Sequence, residues 1–316
     1  QMLSILAITT PIYLLIGAGY LAARQRIFSA PDMRVLGKFV LNFALPALVF
    51  QALAQRPIRE ILNVPYIAAY GGGSMLMFLA VFALARRLRS RTTSDSALIA
   101  MGSSFSNSAF VGYPIVVQWL GPSAAVGLAL CMLVENTLML PLTLALAESG
   151  TSNQAWHKSL LQSLGLLATN PLIIAISAGI VVSVVGVTLP APLLRSIGLL
   201  ANASTAVALF VIGGTLVGLK ARGVVGEALP IVAAKLIAHP LAVGTAILLL
   251  PAFDPKLQLA AIAYAGMPML SIYPIIAQRY GREGLCAATL LVTMLASFLT
   301  ISAMLWLLTI FRGIGV

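Results

Sequence analysis

The sequence predicts an all-α polytopic membrane protein: ten transmembrane helices forming two inverted five-helix repeats, with helices four and nine broken and crossing at the midplane. Three observations predict it. Hydrophobic residues make up 60% of the chain and charged ones 9%, at a mean hydropathy of +1.03, leaving too little polar surface to cover a soluble fold. The apolar residues fall into ten runs, near 3–23, 35–54, 64–85, 95–119, 122–147, 160–186, 196–219, 224–250, 256–278 and 284–311. A helix needs about 20 such residues to cross the hydrocarbon core. Finally, Tyr113-Pro114-Ile115-x-x-Gln118-x-x-Gly121 returns 160 positions later as Tyr273-Pro274-Ile275-x-x-Gln278-x-x-Gly281.

The same offset pairs Pro11 with Pro171, Gly19 with Gly179, Asn42 with Asn202 and Phe50 with Phe210. One unit has been used twice, over 1–156 and 157–316. Five helices per unit is an odd number, so the second copy enters the membrane from the opposite side. A β-barrel would instead show segments of roughly ten residues alternating in polarity, and these runs are apolar throughout. Lys and Arg orient the bundle, because loops rich in them stay in the cytoplasm. Thirteen lie in the loops after helices one, three, five, seven and nine and five on the other side (Arg56, Arg59, Arg195, Lys256, Arg312), which puts both termini in the periplasm. The net charge of +11 then reflects loop bias, and no basic run interleaved with aromatics suggests nucleic acid.

Helix one lacks the basic leader and cleavage pattern of a signal peptide and reads as a retained span. Helices two and seven carry Asn42 and Asn202 at equivalent places. Helix four contains the polar run Gly102 to Asn107 and then Gly112 and Pro114, where proline removes a backbone donor and serine and asparagine can bond freed peptide groups. Helix five carries the acidic residue deepest in the span, Glu135, with Asn136 beside it. Lys235 lies about eleven residues into helix eight, with His239 one turn on. Helix nine repeats the break with Pro268 and Pro274. Unwound backbone survives in a membrane where it lines a cavity or is covered by protein, and half-helix amino ends suit a carboxylate. Matching breaks in two halves therefore point to a binding site. Cys131 and Cys286 read as small buried hydrophobes. Gln118, Gly121, Gln278 and Gly281 read as helix ends, and Gly213 and Gly214 as helix contacts.

Lys38-Phe39-Val40, the run Phe43 to Phe50 (FALPALVF), Asn107-Ser108-Ala109-Phe110-Val111-Gly112-Tyr113-Pro114 and the segment from Met267-Pro268 to Pro274 resemble the auxin efflux carrier family. Within it, the chain is most similar to the bacterial malonate-transporter-like members, over essentially its full length. The resemblance implies an NhaA-like or bile-acid-transporter-like arrangement, a scaffold of helices one, two, six and seven, and a transport domain of helices three to five and eight to ten. It implies a bacterial inner membrane, and an asparagine at position 107 that binds the substrate carboxylate. The helix-nine break has no asparagine, so a symmetric pair is not carried over, and only 148–159 stands where plant members have a long loop.

The expected function is secondary active transport of a small organic anion, a malonate-like dicarboxylate or a monocarboxylate, by alternating access. Candidate substrate-binding residues are Asn107, Ser106, Ser108, Pro114, Met267, Pro268, Ser271, Asn42 and Asn202. Gly112, Tyr113, Tyr273 and Pro274 are candidates for gating or bracing the crossover. Glu135, Asn136 and Lys235 are candidates for ion coupling, because intramembrane charge is costly and marks function by default. The same residues leave a cation/proton antiporter as the alternative. No nucleotide-binding loop and no H-E-x-x-H motif occurs, which argues against an ATP-driven pump and a membrane metalloenzyme. No cofactor or metal is expected beyond a coupling ion, proton or sodium. The expected partners are the anion, the lipid bilayer and a second copy bound through the scaffold helices.

Overall fold

The computed structural model describes residues 2–57, 61–88, 91–149, 161, 164–219 and 225–312. The predicted loop cations Arg59, Arg89, Lys158, Lys220 and Arg222 lie outside them. Every regular element among the described residues is helical. In chain order these are α1 (Met2–Arg24), α2 (Ala30–Ala54), α3 (Val64–Leu88), α4 (Thr93–Ser104), α5 (Tyr113–Leu120) and α6 (Ser123–Ser149). After them come α7 (Pro171–Val185), α8 (Ala191–Thr215), α9 (Gly226–Leu249), α10 (Pro255–Ala265), α11 (Tyr273–Gln278) and α12 (Glu283–Arg312). Seven of these (α1, α2, α3, α6, α8, α9 and α12) are long and apolar enough to cross a membrane, and α7 is a shorter apolar helix.

Local chemistry sets the ends. Ser29 and Asp32 form a capping box on α2, Thr92 accepts from Asp95 N–H at the start of α4, and Asp254 accepts from Leu257 N–H at the start of α10. Each side chain satisfies an amide that the first turn leaves unpaired. Gly121 (φ 69°) and Gly281 (φ 66°) end the two copies of the repeated motif in left-handed backbone, which a residue with a Cβ adopts only at a cost.

Among the described residues there are four π turns, and each ends two residues before a proline. They are Val40–Ala44 before Pro46, Ser108–Gly112 before Pro114, Glu135–Met139 before Pro141, and Ala234–Ala238 before Pro240. Proline offers no N–H to the carbonyl four residues back and its ring presses on that carbonyl, so the turn upstream widens by one residue. Glu135 and Lys235 both sit in these widened turns.

The helices pack in two groups. In one, α1 lies along α8, α7 along α2, and α2 against α8. In the other, α3 contacts α4 and α9, α10 contacts α6 and α9, and α12 contacts α9 and α11. The first group is held by close backbone approach. A Cβ on Gly19 would stand 2.0 Å from the Phe210 carbonyl oxygen, and one on Gly179 would stand 2.9 Å from Leu53 Cβ and 3.3 Å from the Phe50 carbonyl oxygen. Under the 160-residue offset these are the same contact with its partners exchanged. Without a hydrophobic force between helices in lipid, such small-residue contacts supply the packing. Large side chains including Leu199, Leu248 and Leu299 stay exposed on the outside, as a lipid-facing surface allows.

Candidate functional site

The fourth predicted span is interrupted upstream of its proline. α4 ends at Ser104, Phe105–Asn107 leaves the helix, and Pro114 falls in the first turn of α5 after the π turn. The serines before the gap loosen it from within: Ser103 and Ser104 return their hydroxyls to Ile99 O at 2.9 Å and Ala100 O at 2.8 Å, competing with the helix's own bonds. Asn107 then starts the next turn, its Oδ1 accepting from Phe110 N–H at 3.3 Å. In the ninth span α10 ends at Ala265, and residues 266–272 run without helix until Pro274 opens α11. The two gaps touch. Asn107 N–H donates to Pro268 O at 2.7 Å, and Asn107 Nδ2 reaches Ser271 Oγ at 3.4 Å.

Behind this contact lies a buried polar chain. Glu135 of α6, 3% exposed, accepts at Oε1 from Tyr70 O–H (2.6 Å) and Ser106 N–H (3.2 Å). Lys235 of α9, 0% exposed, donates to Ser106 Oγ (2.9 Å), to Ala265 O (2.5 Å) and to His239 Nδ1 (2.9 Å). Three acceptors match the three donors of an ammonium, and His239 is left to donate from Nε2 to Ser74 Oγ at 2.8 Å. Glu135 and Lys235 form no direct ion pair, because Ser106 stands between them. The carboxylate therefore holds an N–H freed by the first gap, and the ammonium holds the last carbonyl before the second. Buried charges are tolerated when fully hydrogen-bonded in this way.

The remaining predicted residues separate into groups. Ser108 is buried with no partner for its Oγ, Met267 is 0% exposed, and Pro268 lies buried in the second gap. Gly112 is a packing position, since a Cβ there would come 2.8 Å from the Tyr264 ring. Tyr273 is buried and donates to Leu98 O at 3.0 Å, whereas Tyr113 is half-buried and lines a cavity. The structure does not bring Asn42 to the gaps: it is exposed and donates to its own helix at Lys38 O (2.8 Å). Asn136 points away from Glu135, bonding Met132 O at 2.8 Å and facing Asn170 at 3.5 Å. Asn202 lines the cavity rather than the gaps.

That cavity, about 610 Å³, opens between the two packing groups, with Gln51, Gln55 and Arg56 of the α2 end, Tyr113 of α5, and Asn202 and Thr205 of α8 among its walls. Sequence reading passed over Gln51 and Gln55, whose i, i+4 spacing on an otherwise apolar face was the available signal. It also passed over Tyr70 and Ser74. At the far end of α4 from the gap, Asp95 receives a two-pronged contact from Arg282, Nε to Oδ1 at 2.6 Å and Nη2 to Oδ2. This carboxylate pushes the Arg282 pKa above its usual value.

Interrupted apolar helices meeting over buried charge beside a polar cavity define an integral membrane protein of the transport class. A family model described as "Membrane transport protein" matches residues 5–305. The chain is 31% identical over 312 residues, 97% of each protein, to the "Putative malonate transporter" of Rhizobium meliloti (strain 1021). It is 28% identical over 215 residues to the "Uncharacterized transporter YfdV" of Escherichia coli (strain K12), covering 65% of this chain and 67% of that one. It is also 27% identical over 214 residues to the mouse "Lysosomal cholesterol signaling protein", covering 63% of this chain and 24% of that one. The chain belongs to the membrane transport protein family, that of the auxin efflux carriers.

Proposed function

We propose that the protein is a secondary active transporter of a small organic anion, a malonate-like dicarboxylate or a monocarboxylate, working by alternating access. The observation that carries this is the contact of the two helix gaps through Asn107, Pro268 and Ser271. Two helix interruptions meeting at one point bring half-helix amino ends and polar side chains together, an arrangement suited to an anion's oxygens. The name of the R. meliloti relative supports a carboxylate substrate.

Ten crossings in two inverted repeats are supported by the seven long helices, the shorter α7 and the two interrupted pairs α4/α5 and α10/α11. The exchanged glycine contacts of Gly19 and Gly179 are what an inverted repeat produces. On this reading α1, α2, α7 and α8 form the scaffold and possess the surface for a homodimer, and the other helices form the moving domain. Both termini face the periplasm of a bacterial inner membrane. The Glu135–Ser106–Lys235 chain couples the gaps to a proton or a sodium ion, or stands in for one. The antiporter reading draws on the same buried pair, and ion flux driven by sodium with no organic anion present would favour it.

Asn107→Ala is the test, with malonate binding and uptake measured on purified and reconstituted protein. The expected result is a loss of affinity of more than about tenfold, the value of one or more hydrogen bonds to a charged group, at unchanged expression and monodispersity. Undiminished affinity would remove Asn107 from the site.

A further inference from the structure

Four arginines stand within six residues where the chain leaves α3: Arg86, Arg87, Arg89 and Arg91. Beside them the structure holds a slot of about 260 Å³ between α3, α4, α9 and α12. At one end lies the ion pair of Arg91 with Glu227, 2.8 Å, and at the other Ser103, close to the first gap. The walls between are apolar, among them Ala85, Ile99, Ile231 and Leu285. From Thr93, where α4 starts, to Ser103 the helical rise gives about 15 Å. Half of a hydrocarbon core of about 30 Å has the same depth, so the slot runs the length of one leaflet's acyl chains. Leu84 on its rim is 57% exposed, and Leu229 beside the lining Pro230 is 52% exposed, so the slot opens sideways to lipid.

At the charged end the acids are already answered, Glu227 by Arg91 and Asp95 by Arg282. That leaves the charge of Arg86 and Arg87, both exposed. Arg86 donates one N–H to the Arg91 carbonyl at 2.7 Å, which keeps its guanidinium near the slot. Arginine clusters directly beyond a membrane helix attract anionic headgroups, and the guanidinium fork suits phosphate oxygens. We propose that this slot binds an anionic phospholipid, one acyl chain lying along α4 and the phosphate held by Arg86 and Arg87. A chain moved from bilayer to slot gains packing alone, so the headgroup charge decides which lipid is selected. A bound chain braces α4 as far as Ser103, just short of the first gap. The site is separate from the gaps and does not depend on what the protein transports.

The test titrates the full chain in detergent with phosphatidylglycerol or phosphatidylcholine of identical acyl chains and measures bound lipid by native mass spectrometry. Phosphatidylglycerol is expected to bind on the order of tenfold tighter or more, each arginine contributing about fivefold near a charged surface. Arg86→Gln combined with Arg87→Gln is expected to abolish that preference and leave phosphatidylcholine unchanged. Ala85→Leu, which narrows the slot, is expected to weaken both lipids alike. Glycerol phosphate, a headgroup without chains, is expected not to compete. Equal affinity of the unmodified protein for the two lipids overturns the proposal, and this comparison stands even where a variant fails to fold. A preference that survives the loss of both arginines overturns it as well. Lipid binding unchanged in Ala85→Leu removes the chain from the slot, and competition by glycerol phosphate gives the arginines to a soluble anion; either result overturns the assignment.

Discussion

The two copies of the repeated motif start from the same residues and end in different places. The first gap is three residues long, 105–107, and its freed Ser106 N–H goes to a carboxylate; the second runs over 266–272 and its preceding carbonyl goes to an ammonium. Tyr113 follows the first and stands at the cavity wall, whereas Tyr273 follows the second and is fixed by Leu98 O. A Cβ on Gly102 would stand only 2.7 Å from the Tyr273 hydroxyl, so that side is packed tight. Both copies of the motif keep the interruption, yet one side is an accessible wall and the other an anchor.

The largest test of this contrast is at the charges. Lys235→Met leaves Ala265 O and His239 without their donor and is expected to cost about 3–5 kcal/mol, the penalty for breaking a buried charge network, read as thermal stability in detergent. Glu135→Gln keeps an oxygen to accept from Tyr70 and Ser106 and is expected to cost about 1 kcal/mol. Equal losses would mean that the two gaps are held alike. Next come the tyrosines. Tyr273→Phe removes one buried hydrogen bond, about 1 kcal/mol, with uptake kinetics unchanged; Tyr113→Phe is expected to shift KM and leave the melting temperature alone. The reverse pattern would exchange the roles of wall and anchor.

The smallest effect concerns Arg282, which ties the start of α4 to the segment after the second gap. Its pKa is raised in the folded state, so its stabilisation is fully present below the unfolded value and is lost only as pH rises through the folded one. Melting curves from pH 7 to 10 should therefore show no loss from this residue. Arg282→Lys keeps the charge but not the fork, and its expected cost is on the order of 1 kcal/mol after solvent screening. A cost that grows between pH 7 and 10 in the unmodified protein would contradict the sign.

Much of the helical layout was legible because lipid imposes a simple requirement on the sequence. Long apolar runs are helices, and Glu135 and Lys235 stood out because so few charges interrupt them. Facing was harder to read. Asn42 and Asn136 lie in apolar helices beside suggestive neighbours, yet each bonds a carbonyl four residues back in its own helix, Lys38 O and Met132 O. A one-residue step turns a helical side chain through about 100°, so adjacency to Glu135 directs Asn136 away from it. The first gap lies well before the proline that suggested it, because proline perturbs the turn upstream of itself and the serines carry the disturbance further. Ser106 could not be singled out in a run of serines, since its role comes from partners on two other helices. Gln51 was passed over, and Arg56 and Arg195 entered only as loop charge, although Gln51 and Arg56 line the cavity.

The exchanged contacts of Gly19 with Phe210 and of Gly179 with Phe50 carry a consequence for biogenesis. Helix α1 leaves the ribosome some 190 residues before the segment that covers its glycine face. At about 5–20 residues per second that interval is roughly 10–40 s. The first half must wait in the bilayer with its seam unfilled until the second arrives, and neither half is a finished body by itself.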